Sequence, residues 1–163
     1  MGMFQNVINW FRPVPKPAPQ PSPKPVIPPV PADWRDGMLD DHNEIRALRG
    51  LPPLKLNPSL DKAAQHHAEW MAQYGMSHAG FSHRFEEVGY NYSNCGENIA
   101  QGCEDADACT HMWMGDLGHR ANVLGKFVDV GFGMSQGFWC ADYGTPAEGG
   151  EEFSASSFVV RKS

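Results

Sequence analysis

No apolar run in this 163-residue chain approaches the roughly 20 residues a membrane-spanning helix needs, so no helical span is expected. There is no clustered Lys or Arg either. The formal charge is -6, and the 13 basic residues are outnumbered by 19 acidic ones, which argues against nucleic acid and against an anionic membrane surface. Met1 to Arg12 has no basic start and runs into prolines instead of a small-residue cleavage site, so no signal peptide is recognised. Asn6 spoils the myristoylation pattern that Met1-Gly2 begins. The chain has no Gly-x-Ser-x-Gly elbow, and no Cys is matched to a His in a recognised nucleophile pattern. Cysteine is sparse at 4 residues, none in paired CxxC spacing. Cys95, Cys103, Cys109 and Cys140 are an even number, compatible with two disulfides in any of three pairings and with an oxidising compartment.

Proline is abundant, and it divides the chain. Ten of the 14 prolines lie between Pro13 and Pro31, every second residue as far as Pro25. Such a stretch favours extended polyproline II, a stiff spacer reaching roughly 60 Å. Residues 13–31 are therefore read as a spacer between a short segment, 1–12, and a domain, 32–163. In the first segment Phe4, Val7, Ile8 and Phe11 recur at helical spacing, an anchor that would fold against a protein partner or an interface.

Within the domain, Trp34, Met38, Ile45 and Leu48 share a helical face that stops at Gly50. Asn57-Pro58 caps and starts a second helix whose face carries Leu60, Ala64, His67, Met71 and Tyr74. Shorter helices are expected over 82–88 and 105–114. Phe127–Met134 and Phe138–Tyr143, flanking Ser135-Gln136-Gly137, read as an antiparallel hairpin, and Phe158-Val159-Val160 as an added edge strand. Helices first and sheet later, without alternating βα units, predict an α+β fold.

Chemistry concentrates between Ser77 and Leu124, where Ser77-His78, Gly96-Glu97-Asn98-Ile99-Ala100 and Gly118-His119-Arg120-Ala121-Asn122-Val123-Leu124 follow one another in stretches that read as short, non-periodic loops. Two imidazoles and a carboxylate, His78, His119 and Glu97, would make a zinc set with one open position for water. The same three could instead form a buried hydrogen-bonded network that fixes loops across a sheet. No cofactor is required on that second reading. Trp34, Trp70, Trp113 and Trp139 read as core or cleft wall, and an aromatic-lined groove could hold a lipid tail or peptide.

Taken with His42-Asn43-Glu44-Ile45-Arg46 and Gly50-Leu51-Pro52-Pro53-Leu54, these ordered motifs resemble the CAP superfamily of cysteine-rich secretory, antigen 5 and pathogenesis-related proteins. The bacterial SCP-like form, with a Trp before Gly-His-Arg, is most similar. That resemblance implies an α-β-α sandwich with a three-stranded antiparallel sheet, and a cleft that in eukaryotic members holds two His and two acidic residues. His78 and Glu97 match two of the four. His119 would stand in for the second acid, and the stretch Phe138-Trp139-Cys140 has no counterpart of the last His. The expected function is a non-catalytic interaction or ligand-binding domain displayed on a proline-rich arm, extracytoplasmic or virion-associated. The partner through residues 1–31 would be a virion or envelope protein. A structural protein of a phage virion, and a metal-dependent hydrolase or lipid carrier, are the alternatives.

Overall fold

The computed structural model describes residues 34–148; the anchor 1–12, the spacer 13–31 and the strand expected at Phe158–Val160 lie outside the described residues. The first helix, α1 (Trp34–Ala47), ends in a turn at Gly50, whose φ of 67° suits a residue without Cβ. Because α1 stops at Ala47, Leu48 falls in the turn and is 78% exposed rather than part of the apolar face. Asn57 caps α2 (Pro58–Tyr74): its Oδ1 accepts from the Ser59 and Leu60 amides at 3.0 and 3.3 Å, and Pro58 needs no amide partner there. Leu60, Ala64, His67 and Met71 are buried along one face of α2, while Tyr74 in its last turn is exposed. Two further helices, α3 (Phe81–Glu87) and α4 (Ala106–Gly115), fall where expected. A fifth, α5 (Leu117–Val123), replaces an expected loop; Asp116 caps it by accepting from the His119 amide at 2.9 Å.

The sheet has four strands, β1 (Lys55–Leu56), β2 (Tyr92–Gln101), β3 (Asp129–Ser135) and β4 (Phe138–Pro146), in the order β1-β3-β4-β2. β3 and β4 are the expected hairpin, joined by Gln136 and Gly137 with φ of 49° and 80°, the left-handed pair of a tight two-residue turn. β2 pairs antiparallel with β4, but β1 runs parallel to β3. The expected three-stranded antiparallel sheet is therefore corrected to a mixed sheet of four. Two residues carry no readable alternation, and β1 is held by tertiary bonds: Asn43 accepts from the Leu54 amide at 2.7 Å and donates to its carbonyl at 3.1 Å.

Alternation along β4 sorts the core into two layers. Trp139, Ala141 and Tyr143 pack with Met38, Trp113 and Val123 on the side of α1, α4 and α5. Cys140 packs with Ala64, Ala68, Met71 and Ile99 on the side of α2. Gly131 and Gly133 let α2 lie directly on β3, since a Cβ at either would stand 2.0 or 2.2 Å from the backbone of Leu60 or Ala64.

These layers also settle the thiols, which are all free, so the two expected disulfides are not formed in this structure. Cys140 and Cys109 lie in layers on opposite sides of the sheet, and Cys95 packs against the separate cluster of Leu60, Phe85 and Tyr90. Cys103 packs against the cluster that holds Cys109, and both thiols are free. Among the described residues no helix is long and apolar enough to cross a membrane.

Candidate functional site

Glu97 sits in the middle of β2, and strand alternation aims its side chain at the α2 layer, where only 2% of it is exposed. A carboxylate at such a position is stable only if it is paired. His78 supplies one partner: its Nδ1 donates to Glu97 Oε1 at 2.7 Å, while the rest of the ring reaches solvent, with 57% of the side chain exposed. Arg84, from α3, donates to Oε2. His67, from α2, stands with Nε2 3.7 Å from Oε2, but that nitrogen donates to the Ser77 carbonyl at 2.7 Å. Burial pushes the pKa of His67 down, against the pull of Glu97.

Two residues of β4 complete the cluster. Asp142 is directly opposite Glu97 in the ladder, and Cys140 lies two residues earlier on the same face. Cys140 Sγ is 3.6 Å from Glu97 Oε2 and 3.8 Å from Asp142 Oδ1. Both are buried, and burial, followed by the charge of Glu97, drives the Asp142 carboxyl well above the usual carboxylate range. The Cys140 thiol is likewise pushed up, first by burial and then by the two carboxyl groups.

The expected trio does not assemble. His78 and Glu97 meet, but His119 lies across the sheet with Nδ1 3.3 Å from the exposed carboxylate of Asp116. The physical reason is the period of β2: Glu97 faces α2, so its neighbour Asn98 faces α5 and bonds the His119 carbonyl at 2.9 Å. Among the described residues the one group of three metal-ligating side chains within 4.8 Å is Glu97, Cys140 and Asp142. The zinc set of His78, Glu97 and His119 is therefore not present, and the His78–Glu97 contact is a hydrogen bond.

The other motif residues build the frame. Asn122 Nδ2 bridges the Glu97 carbonyl at 3.0 Å and Asn98 Oδ1 at 2.8 Å. Asn98 Nδ2 reaches the Tyr143 hydroxyl at 3.4 Å, and that hydroxyl donates to His42 Nε2 at 3.0 Å. His42 in turn donates through Nδ1 to the Met38 carbonyl at 2.8 Å. Arg46, 1% exposed, donates to the carbonyls of Pro52, Val123 and Gly125 and so ties α1 to the end of α5.

In front of the Arg84 side chain, between α2 and α3, lies a cavity of about 380 Å³ walled by His66, His67, Trp70, Gly80, Arg84 and Glu87. Trp70 is 40% exposed and stacks on buried His67, centroids 5.8 Å apart and planes 14° from parallel. Tyr74 follows at 5.1 Å, so an aromatic row leads out of the cavity. Sequence reasoning alone misses Arg84 and Asp142. Asp142, a lone acid inside the apolar run Phe138–Tyr143, carries a signal; Arg84, one basic residue in a polar helix, carries none.

The cysteine-rich secretory protein (CAP) family model matches residues 39–143. The chain belongs to the CAP family. Among curated relatives, this CAP domain is 27% identical over 114 residues to the uncharacterized protein YkwD of Bacillus subtilis, covering 62% of the chain and 43% of that protein. It is 25% identical over 113 residues to the uncharacterized membrane protein YlbC of the same organism, covering 65% and 33%. Among solved structures, an extracellular protein containing a SCP domain from Bacillus anthracis superposes with a TM-score of 0.67 at 24% identity, covering 72% of this chain and 44% of that one. An outer surface protein of Borrelia burgdorferi superposes with a TM-score of 0.63 at 15% identity, covering 69% and 92%. At these identities the structural likeness carries the fold alone. The chain spans less than half the length of both curated relatives and of the Bacillus anthracis protein.

Proposed function

We propose that this CAP domain is a non-catalytic ligand-binding module that works outside the cytoplasm, and that its ligand is a small amphipathic molecule, a lipid tail or an apolar peptide, seated between α2 and α3. The observation that carries the reading is the half-exposed Trp70, stacked on His67 at the cavity wall instead of being packed in the core. An indole left half in water beside a concave, mostly apolar site is a surface available for a ligand. Both oxygens of Glu97 are engaged by His78 and Arg84, which favours a fixed support behind the Arg84 wall over a free general base. An extracytoplasmic location is supported by two structural relatives, one described as extracellular and one as an outer surface protein.

Titration with a fluorescent long-chain fatty acid tests this reading. Saturable binding in the micromolar range, weakened more than about tenfold by Trp70→Ala with the fold retained, is the expected result. Equal binding by the variant, or none by either protein, would overturn it.

A second element of the proposal concerns residues 1–31. The alternating prolines from Pro13 to Pro25 favour a stiff arm that would hold residues 32–163 away from a larger assembly, a virion or envelope protein gripped through Phe4, Val7, Ile8 and Phe11. Its test is which proteins co-purify with the full chain and with residues 32–163. An identical set would sink the anchoring role.

A further inference from the structure

We propose that Glu97, Cys140 and Asp142 form a buried divalent-cation site of mixed thiolate and carboxylate character, suited to zinc or cobalt, behind the floor of the α2–α3 cavity. Three observations meet there. The first is separation. A tetrahedral zinc with a Zn–S bond of about 2.3 Å and Zn–O bonds of about 2.1 Å places sulfur and oxygen ligands roughly 3.6 Å apart. Cys140 Sγ stands 3.6 Å from Glu97 Oε2 and 3.8 Å from Asp142 Oδ1, long thiol-to-carboxyl hydrogen bonds whose spacing also matches ligands of a shared ion once the thiol proton is lost.

The second is an unsatisfied atom. Asp142 is fully buried, and its Oδ2 has no hydrogen-bond partner among the described residues. A stranded carboxyl oxygen in a polar cluster is costly, and a cation between Glu97 and Asp142 would satisfy it. The third is charge. Three ionised ligands carry three negative charges and Arg84 returns one, so a divalent ion leaves the cluster neutral. The donor set also selects among ions: a thiolate beside carboxylates favours zinc and cobalt and disfavours magnesium and calcium. Arg84, whose side chain is 12% exposed and lines the cavity, joins the cluster to that cavity through its pair with Glu97.

The geometry comes from β4 itself. Cys140 and Asp142, two residues apart, share a face, and the ladder sets Glu97 opposite Asp142. Neither His78 nor His119 is a ligand of this site, which separates it from the arrangement expected from the sequence.

Titration of the full-length protein with Co²⁺, followed by absorption, tests the proposal. The expected result is one ion per chain, a sulfur-to-metal charge-transfer band in the near ultraviolet, and displacement by Zn²⁺. The band should vanish in Cys140→Ala. In the isosteric Asp142→Asn, affinity should fall by more than about tenfold. Cys109→Ala and His119→Ala should leave both unchanged. Circular dichroism checks that each variant folds, and Asp142→Asn carries the test if Cys140→Ala does not. The proposal is overturned if stoichiometric cobalt gives no band, if the band survives Cys140→Ala, or if Asp142→Asn binds as tightly as the wild type. Fatty-acid binding is scored separately, so the two readings fail independently.

Discussion

Glu97 and Asp142 face each other directly across the β2–β4 ladder, two carboxyl groups on one buried face with a single guanidinium, Arg84, between them and solvent. Two like charges so placed repel: burial, and then the charge of Glu97, push the Asp142 carboxyl well above the usual carboxylate range, while Glu97 pairs with Arg84. Removing Arg84 should therefore leave Glu97 Oε2 without its cation, with His78 alone still bonded to Oε1. Arg84→Ala is expected to cost about 3 kcal/mol in urea denaturation, whereas Asp142→Asn, an isosteric change at a carboxyl whose charged form burial disfavours, should cost less than about 1 kcal/mol in metal-free protein. Equal losses would mean that Asp142 is ionised.

His42 gives the fold a pH dependence of definite sign. Burial lowers its pKa to about 4 from an ordinary value of 6.5, so the unfolded chain takes up the proton first. The neutral ring's contribution is complete above pH 6.5 and is lost as the pH falls towards 4, about 3 kcal/mol over that window. Chemical denaturation at half-unit pH steps should show that slope. In His42→Gln it should flatten, and an unchanged slope would assign the effect to other groups.

At Gly131 the backbone of α2 takes the place of a side chain, because a Cβ there would lie 2.0 Å from the Leu60 carbonyl carbon. A methyl cannot be accommodated without moving the helix off the sheet. Gly131→Ala should cost at least about 3 kcal/mol, near the upper end of overpacking effects, and Gly133→Ala a similar amount. A thermal midpoint within a few degrees of the wild type for either variant would show that α2 can lift away.

Much of this is legible in the chain, for physical reasons that differ by element. Asn57-Pro58, Asp105 and the Gln136-Gly137 turn declare themselves because caps and left-handed turns demand particular residues. β2 reads as loop because Tyr92-Ser93-Asn94-Cys95-Gly96-Glu97-Asn98 lacks apolar alternation; its faces are filled by polar networks, which a hydrophobic period cannot detect. The site is hidden for the same reason. In a loop, Glu97 and Asn98 could both turn towards His119; in a strand, they are forced to opposite sides of the sheet.

The same alternation yields the sharpest contrast between two neighbouring motif positions. The His119 imidazole is 34% exposed, and its one partner among the described residues is the 60% exposed Asp116, an interaction that water screens. Its carbonyl, not its ring, is what the fold uses, through Asn98. His119→Ala should therefore change stability by less than about 0.5 kcal/mol and leave fatty-acid and cobalt binding unaltered. Asn98 is fully buried, accepts from Asn122 and donates towards the His119 carbonyl and the Tyr143 hydroxyl. Asn98→Ala strands several buried partners at once, so a loss of about 2–4 kcal/mol is expected, together with faster amide exchange at the start of α5. Urea denaturation of the two variants decides the matter: if His119→Ala proves the more damaging, the ring has a partner in the cleft after all, and the separation of the two faces would have to be abandoned.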